Sequence, residues 1–318
     1  MMILKNGDKG QNDWWRYLAG ILLVLTGYFI GQLPLYGVVY YQFSQNNQLD
    51  TSTLANFESS LNFDLIGVNR NFGFVLMIMM FVVAMLALIM AIRYLHQKRV
   101  TDMITVKSKI DFRKILFAFG FWGVLTVIME VISYSISPEV YTFRWEAGSF
   151  FILVVISLVL LPIQTSFEEL FIRGYIMQGI AFFSRHKGVA ILLSSIFFGL
   201  LHGTNPEVEK FGFWTMQFYY ILAGLFLAVI TVLDDGLELA LGIHAAINVL
   251  GATFVSYEGS VLQTDSLFIS SEIKPWLMIL SFILAAGVFM AICYKKYDWP
   301  KLSTLLDSID ENKVDTLT

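Results

Sequence analysis

The sequence predicts an all-α, polytopic membrane helix bundle with about eight transmembrane helices. Of the 318 residues, 57% are hydrophobic and only 14% are charged, and the mean hydropathy is +0.67. A soluble domain carries roughly 25% charged residues. Apolar runs of about 20 residues, the length that crosses a bilayer, recur along the chain. This composition excludes a soluble globular domain, and the single cysteine excludes an intrachain disulfide.

Polar and aromatic residues set the limits of the predicted spans. Trp14 and Trp15 precede the first span as an interfacial belt, and residues 1–13 before them are expected to form a polar cytoplasmic tail. Pro162 is expected to kink the fourth helix, because proline removes an amide donor and crowds the preceding turn. In chain order the spans are predicted at about 18–39, 72–92, 115–136, 149–181, 188–201, 211–232, 237–254 and 276–294.

The distribution of basic residues predicts the orientation of the bundle. Residues 93–114 carry seven Lys or Arg against two Asp, so the positive-inside rule predicts that this loop and both termini are cytoplasmic. His96, within this loop, is expected at the surface, and residues 300–318 are expected to form a disordered tail. Because the basic run is short and tethered at the membrane, its expected partner is the lipid bilayer and not nucleic acid.

The fourth predicted helix carries two adjacent carboxylates and a guanidinium. Glu168 and Glu169 follow the long apolar run 150–161, and Arg173 comes four residues after Glu169. Ionisable groups in hydrocarbon cost several kcal/mol unless they face a cavity or a partner. A spacing of four puts Glu169 and Arg173 on one helix face, where they can pair, and leaves Glu168 free to act. The alternative interpretation is a structural ion-pair cluster at a helix end.

Further polar residues interrupt three other predicted helices. His202 closes the fifth, while His244 and Asn248 lie four residues apart on one face of the seventh. A lone histidine of this kind is usually a satisfied core residue, but two of them beside a glutamate pair are harder to explain by packing. Glu130, in the third span, has two interpretations: it bonds to a neighbouring helix or lies near the outer interface, or it lines the active cavity.

The predicted topology places these polar residues at similar depths. Measured from the cytoplasmic helix ends at about 1.5 Å per residue, Glu168 lies about 20 Å deep and His202 about 21 Å deep. His244 lies about 12 Å deep and Asn248 about 18 Å deep. Three helices of alternating direction therefore bring their polar residues into one layer. This agreement predicts a single shared site inside the membrane.

Three short motifs together resemble the motif set of the CAAX prenyl protease 2 family, also called CPBP intramembrane proteases or the Abi, bacteriocin-processing group. In chain order they read Glu168-Glu169-x-x-x-Arg173, Phe198-x-x-x-His202 and His244-x-x-x-Asn248. The resemblance covers roughly residues 150–255. It implies an intramembrane endopeptidase in a bacterial cell membrane, acting on a membrane-associated peptide or protein with or without a prenyl group. Arg173 and Phe198 are expected to support the site structurally.

Two catalytic schemes are compatible with these residues. In the first, Glu168 and His202 orient and deprotonate a water molecule without metal, and His244 and Asn248 donate hydrogen bonds to the developing oxyanion, with Glu169 part of the same site. In the second, Glu168, His202 and His244 bind a divalent metal, zinc, which polarises the water. The sequence does not decide between them.

Two other functional classes stay open alongside the protease. A transporter also places ionisable groups at mid-membrane, but usually with inverted repeats, and no repeat is found in the sequence. A catalytically silent immunity or scaffold protein keeps the fold but need not keep the polar residues. The expected division of the chain is 1–148 for the tail and first three spans, 149–255 for the catalytic core, and 256–318 for the last span and tail.

Overall fold

Helices make up most of the structure, a computed structural model that describes residues 2–46, 49–257 and 259–309. The helices are α1 (Trp14–Gln45), α2 (Thr51–Ser60), α3 (Arg70–Met90), α4 (Val100–Ile104), α5 (Phe112–Ile136), α6 (Ala147–Glu169), α7 (Met177–Ser184), α8 (Lys187–Leu201), α9 (Pro206–Phe211), α10 (Phe213–Leu233), α11 (Glu238–Thr253) and α12 (Pro275–Lys296). A π-helical turn, Ala91–Leu95, extends α3, and a second one, Leu170–Ile176, joins α6 to α7 without a break.

Within the residues that the structure describes, six helices are long and apolar enough to cross a membrane: α1, α3 with its π-helical turn, α5, α6 continuous with α7, α10, and α12. The two remaining predicted spans correspond to α8 and α11, which are apolar but shorter. Together they confirm the predicted membrane helix bundle. At about 1.5 Å per residue, the 16 residues of α11 span about 24 Å. A helix of this length suits a place inside the bundle better than one against lipid.

The short helix α11 is largely enclosed by its neighbours in the bundle. It packs against α5, α6 and α10, and twelve of its sixteen residues are buried. Gly242 allows the closest of these approaches, because a Cβ there would lie 2.3 Å from the carbonyl oxygen of Ile115 on α5. His244 follows two residues later. Close packing of α11 therefore fixes the position of one predicted site residue.

A small three-stranded sheet, which the sequence analysis did not predict, covers the end of the bundle opposite the 93–114 loop. Its strands are β1 (Tyr141–Phe143), β2 (Val255–Tyr257) and β3 (Phe268–Ser270), in the order β1-β3-β2. Strand β3 pairs antiparallel with β1 and parallel with β2. Since β1 follows α5 and β2 follows α11, the sheet ties together the far ends of these two helices.

The prediction of a polar N-terminal tail is wrong for residues 3–8. Ile3–Asp8 form a 3₁₀ turn that contacts α7, and Ile3 and Leu4 are buried in the same apolar cluster as Met103. The backbone N–H of Ile3 also donates to Asp235 Oδ1 at 3.0 Å. Burial of these two apolar side chains and the hydrogen bonds of Ile3 and Asn6 act together against the cost of ordering the segment.

The predicted disordered C-terminal tail is also wrong where the structure describes it. Leu302–Leu306 form a 3₁₀ turn, Ile309 is buried, and its backbone N–H donates to the carbonyl oxygen of Arg185 at 2.9 Å. Residues 310–318, the rest of that predicted tail, lie outside the described residues.

His96 lies in the interior, which corrects its predicted surface position. Its side chain is 1% exposed, with Nδ1 2.8 Å from the carbonyl oxygen of Gln11 and Nε2 2.8 Å from the hydroxyl of Tyr175. Burial lowers the pKa of His96 to about 4, and the charge of Lys98 acts in the same direction, while the hydrogen bond to Gln11 opposes it. The basic loop is thus folded back onto the bundle, and its histidine bonds to the helix that carries the glutamates.

Candidate active site

The two glutamates lie at the point where α6 changes its helical geometry. The helix runs through Pro162 without interruption, and the irregular turn, Leu170–Ile176, begins directly after Glu169. A π-helical turn widens the backbone and re-aims the side chains beside it, and such turns are frequent at functional sites. The sequence analysis expected the distortion at the proline, whereas the structure places it at the motif.

Glu169 and Arg173 form a completely buried ion pair. Arg173 Nη1 donates to Glu169 Oε1 at 2.8 Å, and both side chains are 0% exposed. The guanidinium also donates through Nη2 to the carbonyl oxygen of Gly224 on α10 at 3.2 Å, and it lies 4.4 Å above the ring of Phe198. These additional contacts help to offset the cost of removing two charges from water. The predicted spacing of four residues therefore produces the expected contact.

His244 lies between the two glutamates. Its Nδ1 is 2.7 Å from Glu169 Oε1, and its Nε2 is 3.4 Å from Glu168 Oε2. Because an ionised carboxylate only accepts hydrogen bonds, Nδ1–H donates to Glu169. If Nε2 is also protonated, the formal charges of Glu168, Glu169, Arg173 and His244 sum to zero. The ring of His244 therefore bridges the two carboxylates, with Nε2 facing Glu168.

Gln164 connects the glutamates to Asn248, and the sequence analysis did not identify it. Gln164 Nε2 donates to Glu168 Oε1 at 2.6 Å, and Asn248 Nδ2 donates to Gln164 Oε1 at 2.8 Å. The side chain of Gln164 is buried. Its position four residues before Glu168, in an otherwise apolar helix, is a signal that could have found it.

His202 ends α8 beside an aromatic wall. Its Nδ1 is 2.8 Å from the carbonyl oxygen of Phe198, and its ring lies 4.4 Å from that of Phe198 and 4.7 Å from that of Tyr220. A carbonyl oxygen only accepts, so Nδ1 donates and neutral His202 keeps a lone pair at Nε2.

The structure thus gathers the predicted site residues from three helices. Direct hydrogen bonds and ion pairs join Glu168, Glu169 and His244 to Asn248 through Gln164. His202 approaches this group across the ring of Phe198, which also contacts Arg173 and lies 6.1 Å from the ring of His244. The catalytic roles of these residues remain predictions.

Glu130 stands apart from this group. Its carboxylate accepts a hydrogen bond from the hydroxyl of Tyr141, at the start of β1, at 3.1 Å. This contact agrees with the interpretation of Glu130 as a structural partner near the sheet-covered end of the bundle.

The donors expected for zinc do not fit a metal in their present arrangement. Within the described part of the chain, no set of three or more His, Cys, Asp and Glu side chains is grouped so as to hold a metal ion. We therefore derive no chemical step through a metal.

Comparison with known proteins identifies the region that contains this site. Residues 147–250 match the family model described as Rce1-like, type II CAAX prenyl endopeptidase Rce1-like. The chain is also similar to the uncharacterized protein YyaK of Bacillus subtilis (strain 168), with 27% identity over 254 residues, which cover 80% of this chain and 82% of that protein. No solved structure matches the chain. The family match begins with α6 and ends within α11, so it includes every residue of the hydrogen-bonded group.

Proposed function

We propose that the chain is an intramembrane endopeptidase. The premise is a multi-pass membrane protein whose residues 147–250 match the Rce1-like, CAAX-type protease family model. Its substrate is a peptide bond in a membrane-associated peptide or protein. The observation that carries the proposal is the contact of His244 with two glutamates inside this core. A packing role alone does not require two carboxylates and an arginine around one imidazole in an apolar bundle.

In the proposed reaction, Glu168 is the general base. A water molecule between Glu168 and His202 gives a proton to the carboxylate, and the remaining hydroxide oxygen attacks the carbonyl carbon of the peptide bond. His202 can accept a hydrogen bond from this water at Nε2, because its Nδ1 is bonded to the carbonyl oxygen of Phe198. The proton then passes from Glu168 to the leaving nitrogen as the carbon–nitrogen bond breaks.

The developing oxyanion is stabilised by the opposite side of the site. His244 offers Nε2–H when it is protonated, and the amide nitrogen of Asn248 has a second hydrogen besides the one bonded to Gln164. His244 and Asn248 are one helical turn apart on α11, so both can point at one oxygen. Glu169 and Arg173 hold His244 in place and do not touch the substrate.

The proposal is tested by replacing Glu168 with glutamine. The Glu168→Gln change keeps the size of the side chain but removes the base, so cleavage should fall by at least about 10²-fold. The probe is an internally quenched CAAX peptide in liposomes, prepared with and without a farnesyl group, which also reports whether a prenyl group is needed. Expression and membrane insertion should stay near normal, because an amide costs less than a carboxylate in hydrocarbon.

A matched control is Glu130→Gln, which removes a carboxylate from α5, outside the hydrogen-bonded group. This variant should cleave the peptide at close to the wild-type rate. Undiminished cleavage by Glu168→Gln would remove Glu168 from the mechanism and favour transport or scaffolding. Loss of wild-type activity on addition of a zinc chelator would favour the metal scheme over the one derived above.

A further inference from the structure

A chain of two amides connects Glu168 on α6 with Asn248 on α11. Gln164 is its central member and accepts at one end while donating at the other, at 2.8 Å and 2.6 Å. Gln164 is 8% exposed and lies one helical turn before Glu168. The proposed hydrolysis uses both ends of this chain but gives no role to its centre.

The charge on Glu168 sets the direction of the chain. An ionised carboxylate has no hydrogen to donate, so Gln164 must turn its Nε2 towards Glu168. The carbonyl oxygen of Gln164 then faces Asn248, so Asn248 must donate its hydrogen bond from Nδ2. With its amide nitrogen on the side of Gln164, Asn248 can direct its second N–H into the site. Without Gln164, either the nitrogen or the oxygen of Asn248 could face an oxyanion, and the oxygen would repel it.

We infer that Gln164 is a positioning residue for the proposed hydrolysis, one that holds the carboxylate of Glu168 and selects the amide orientation of Asn248. The inference rests on the proposed function, because it assigns Gln164 to the general base and the oxyanion donor of that reaction. Gln164 touches neither water nor substrate in this scheme. It links the two catalytic sides of the site, so the base and the donor are pre-organised together.

The experiment compares Gln164→Met with Gln178→Met. Methionine has the unbranched shape of glutamine but makes neither hydrogen bond. Gln178 is a buried glutamine on α7, outside the site, and is 1% exposed; its amide nitrogen lies 3.4 Å from two backbone carbonyl oxygens. Cleavage of the quenched farnesylated peptide gives kcat and KM, and thermal unfolding in detergent gives Tm. Infrared difference spectra, with Glu168→Gln for assignment, follow the carboxylate stretch of Glu168.

For Gln164→Met we expect kcat to fall about tenfold or more while KM stays within about threefold, because orientation in the transition state is lost and not substrate binding. The carboxylate stretch of Glu168 should shift in this variant and not in Gln178→Met. If Gln164→Met does not fold, Gln164→Leu takes its place. A kcat within about twofold of wild type in a folded variant, with the carboxylate stretch unmoved, would overturn the inference.

The infrared measurement separates this inference from the proposed function. If the wild type does not cleave the peptide, the proposed function loses its support, but the stretch of Glu168 still reports whether Gln164 holds the carboxylate. An unchanged stretch in Gln164→Met would then overturn the inference by itself.

Discussion

At the scale of single residues, the site depends on charges that are buried together. Glu169 and Arg173 are removed from solvent completely, and each has contacts beyond the ion pair: His244 for the glutamate, Gly224 and Phe198 for the arginine. A buried pair of this kind adds little net stability, but breaking it leaves an uncompensated charge in the interior. Arg173 therefore matters first for folding, and through Glu169 for the orientation of His244.

Replacing Arg173 with alanine should reduce both stability and activity. The variant leaves Glu169 buried without its cation, which costs about 3–5 kcal/mol. We expect a lower yield and a lower Tm in detergent, together with lost peptide cleavage. The double variant Glu169→Gln, Arg173→Met removes both charges, so its Tm should recover towards the wild-type value while activity stays low. A wild-type Tm for Arg173→Ala would show that the loss of the ion pair does not destabilise the protein.

At the scale of elements, the π-helical turn Leu170–Ile176 connects the site to the basic loop. Arg173 and Tyr175 both lie in this turn, and the hydroxyl of Tyr175 is 2.8 Å from His96 Nε2. Gln11 completes the contact from the N-terminal segment at Nδ1. One buried histidine thus holds three segments: the N-terminal segment, the end of α3, and the helix of the glutamates.

The buried position of His96 predicts a pH dependence of stability. Burial lowers the pKa of His96 from 6.5 to about 4. Below pH 6.5, therefore, His96 binds a proton in the unfolded chain but stays neutral in the folded chain. The contribution of neutral His96 to the free energy of unfolding is therefore complete above pH 6.5, and it is lost progressively as the pH falls towards about 4. Tm should drop between about pH 7 and about pH 5, by roughly 2–4 °C for each kcal/mol lost.

The variant His96→Gln is the control for this dependence. It should have a lower Tm than the wild type at neutral pH, because it disturbs the contacts with Gln11 and Tyr175. Its Tm should change less over the same pH interval, since glutamine does not titrate. Equal slopes for the two proteins would assign the pH dependence to other groups.

At the scale of the whole molecule, the helix bundle can be predicted from the sequence. The terminal segments and the small sheet that cover the two ends of the bundle cannot. The eight apolar segments can be recognised from hydropathy alone, and the spacing of four residues indicates the Glu169–Arg173 contact. The docking of Ile3 and Leu4 cannot be predicted from the sequence, because two apolar residues in a polar segment show no periodicity. The spacing of four residues between Gln164 and Glu168 is visible in the sequence, but the contact of Gln164 with Asn248 is not, because it crosses from α6 to α11.

The orientation of the bundle remains a prediction that labelling can test. In a Cys293→Ala background, which removes the single native cysteine, Lys109→Cys lies in the exposed basic loop and Thr142→Cys in the exposed strand β1 at the opposite end. A membrane-impermeant maleimide should label Thr142→Cys in intact cells and Lys109→Cys only after permeabilisation. Labelling of Lys109→Cys in intact cells would place the 93–114 loop outside.

The docked N-terminal segment has a consequence for the time at which the protein matures during synthesis. Ile3 bonds to Asp235, which lies 232 residues later in the chain. At about 5–20 residues per second, a ribosome reaches Asp235 roughly 12–46 s after Ile3. Throughout that interval the helices carrying Glu168 and His202 leave the ribosome while Ile3 has no Asp235 to bind. The bond between Ile3 and Asp235 therefore forms late, and the bond of Ile309, made later still, to Arg185 follows it.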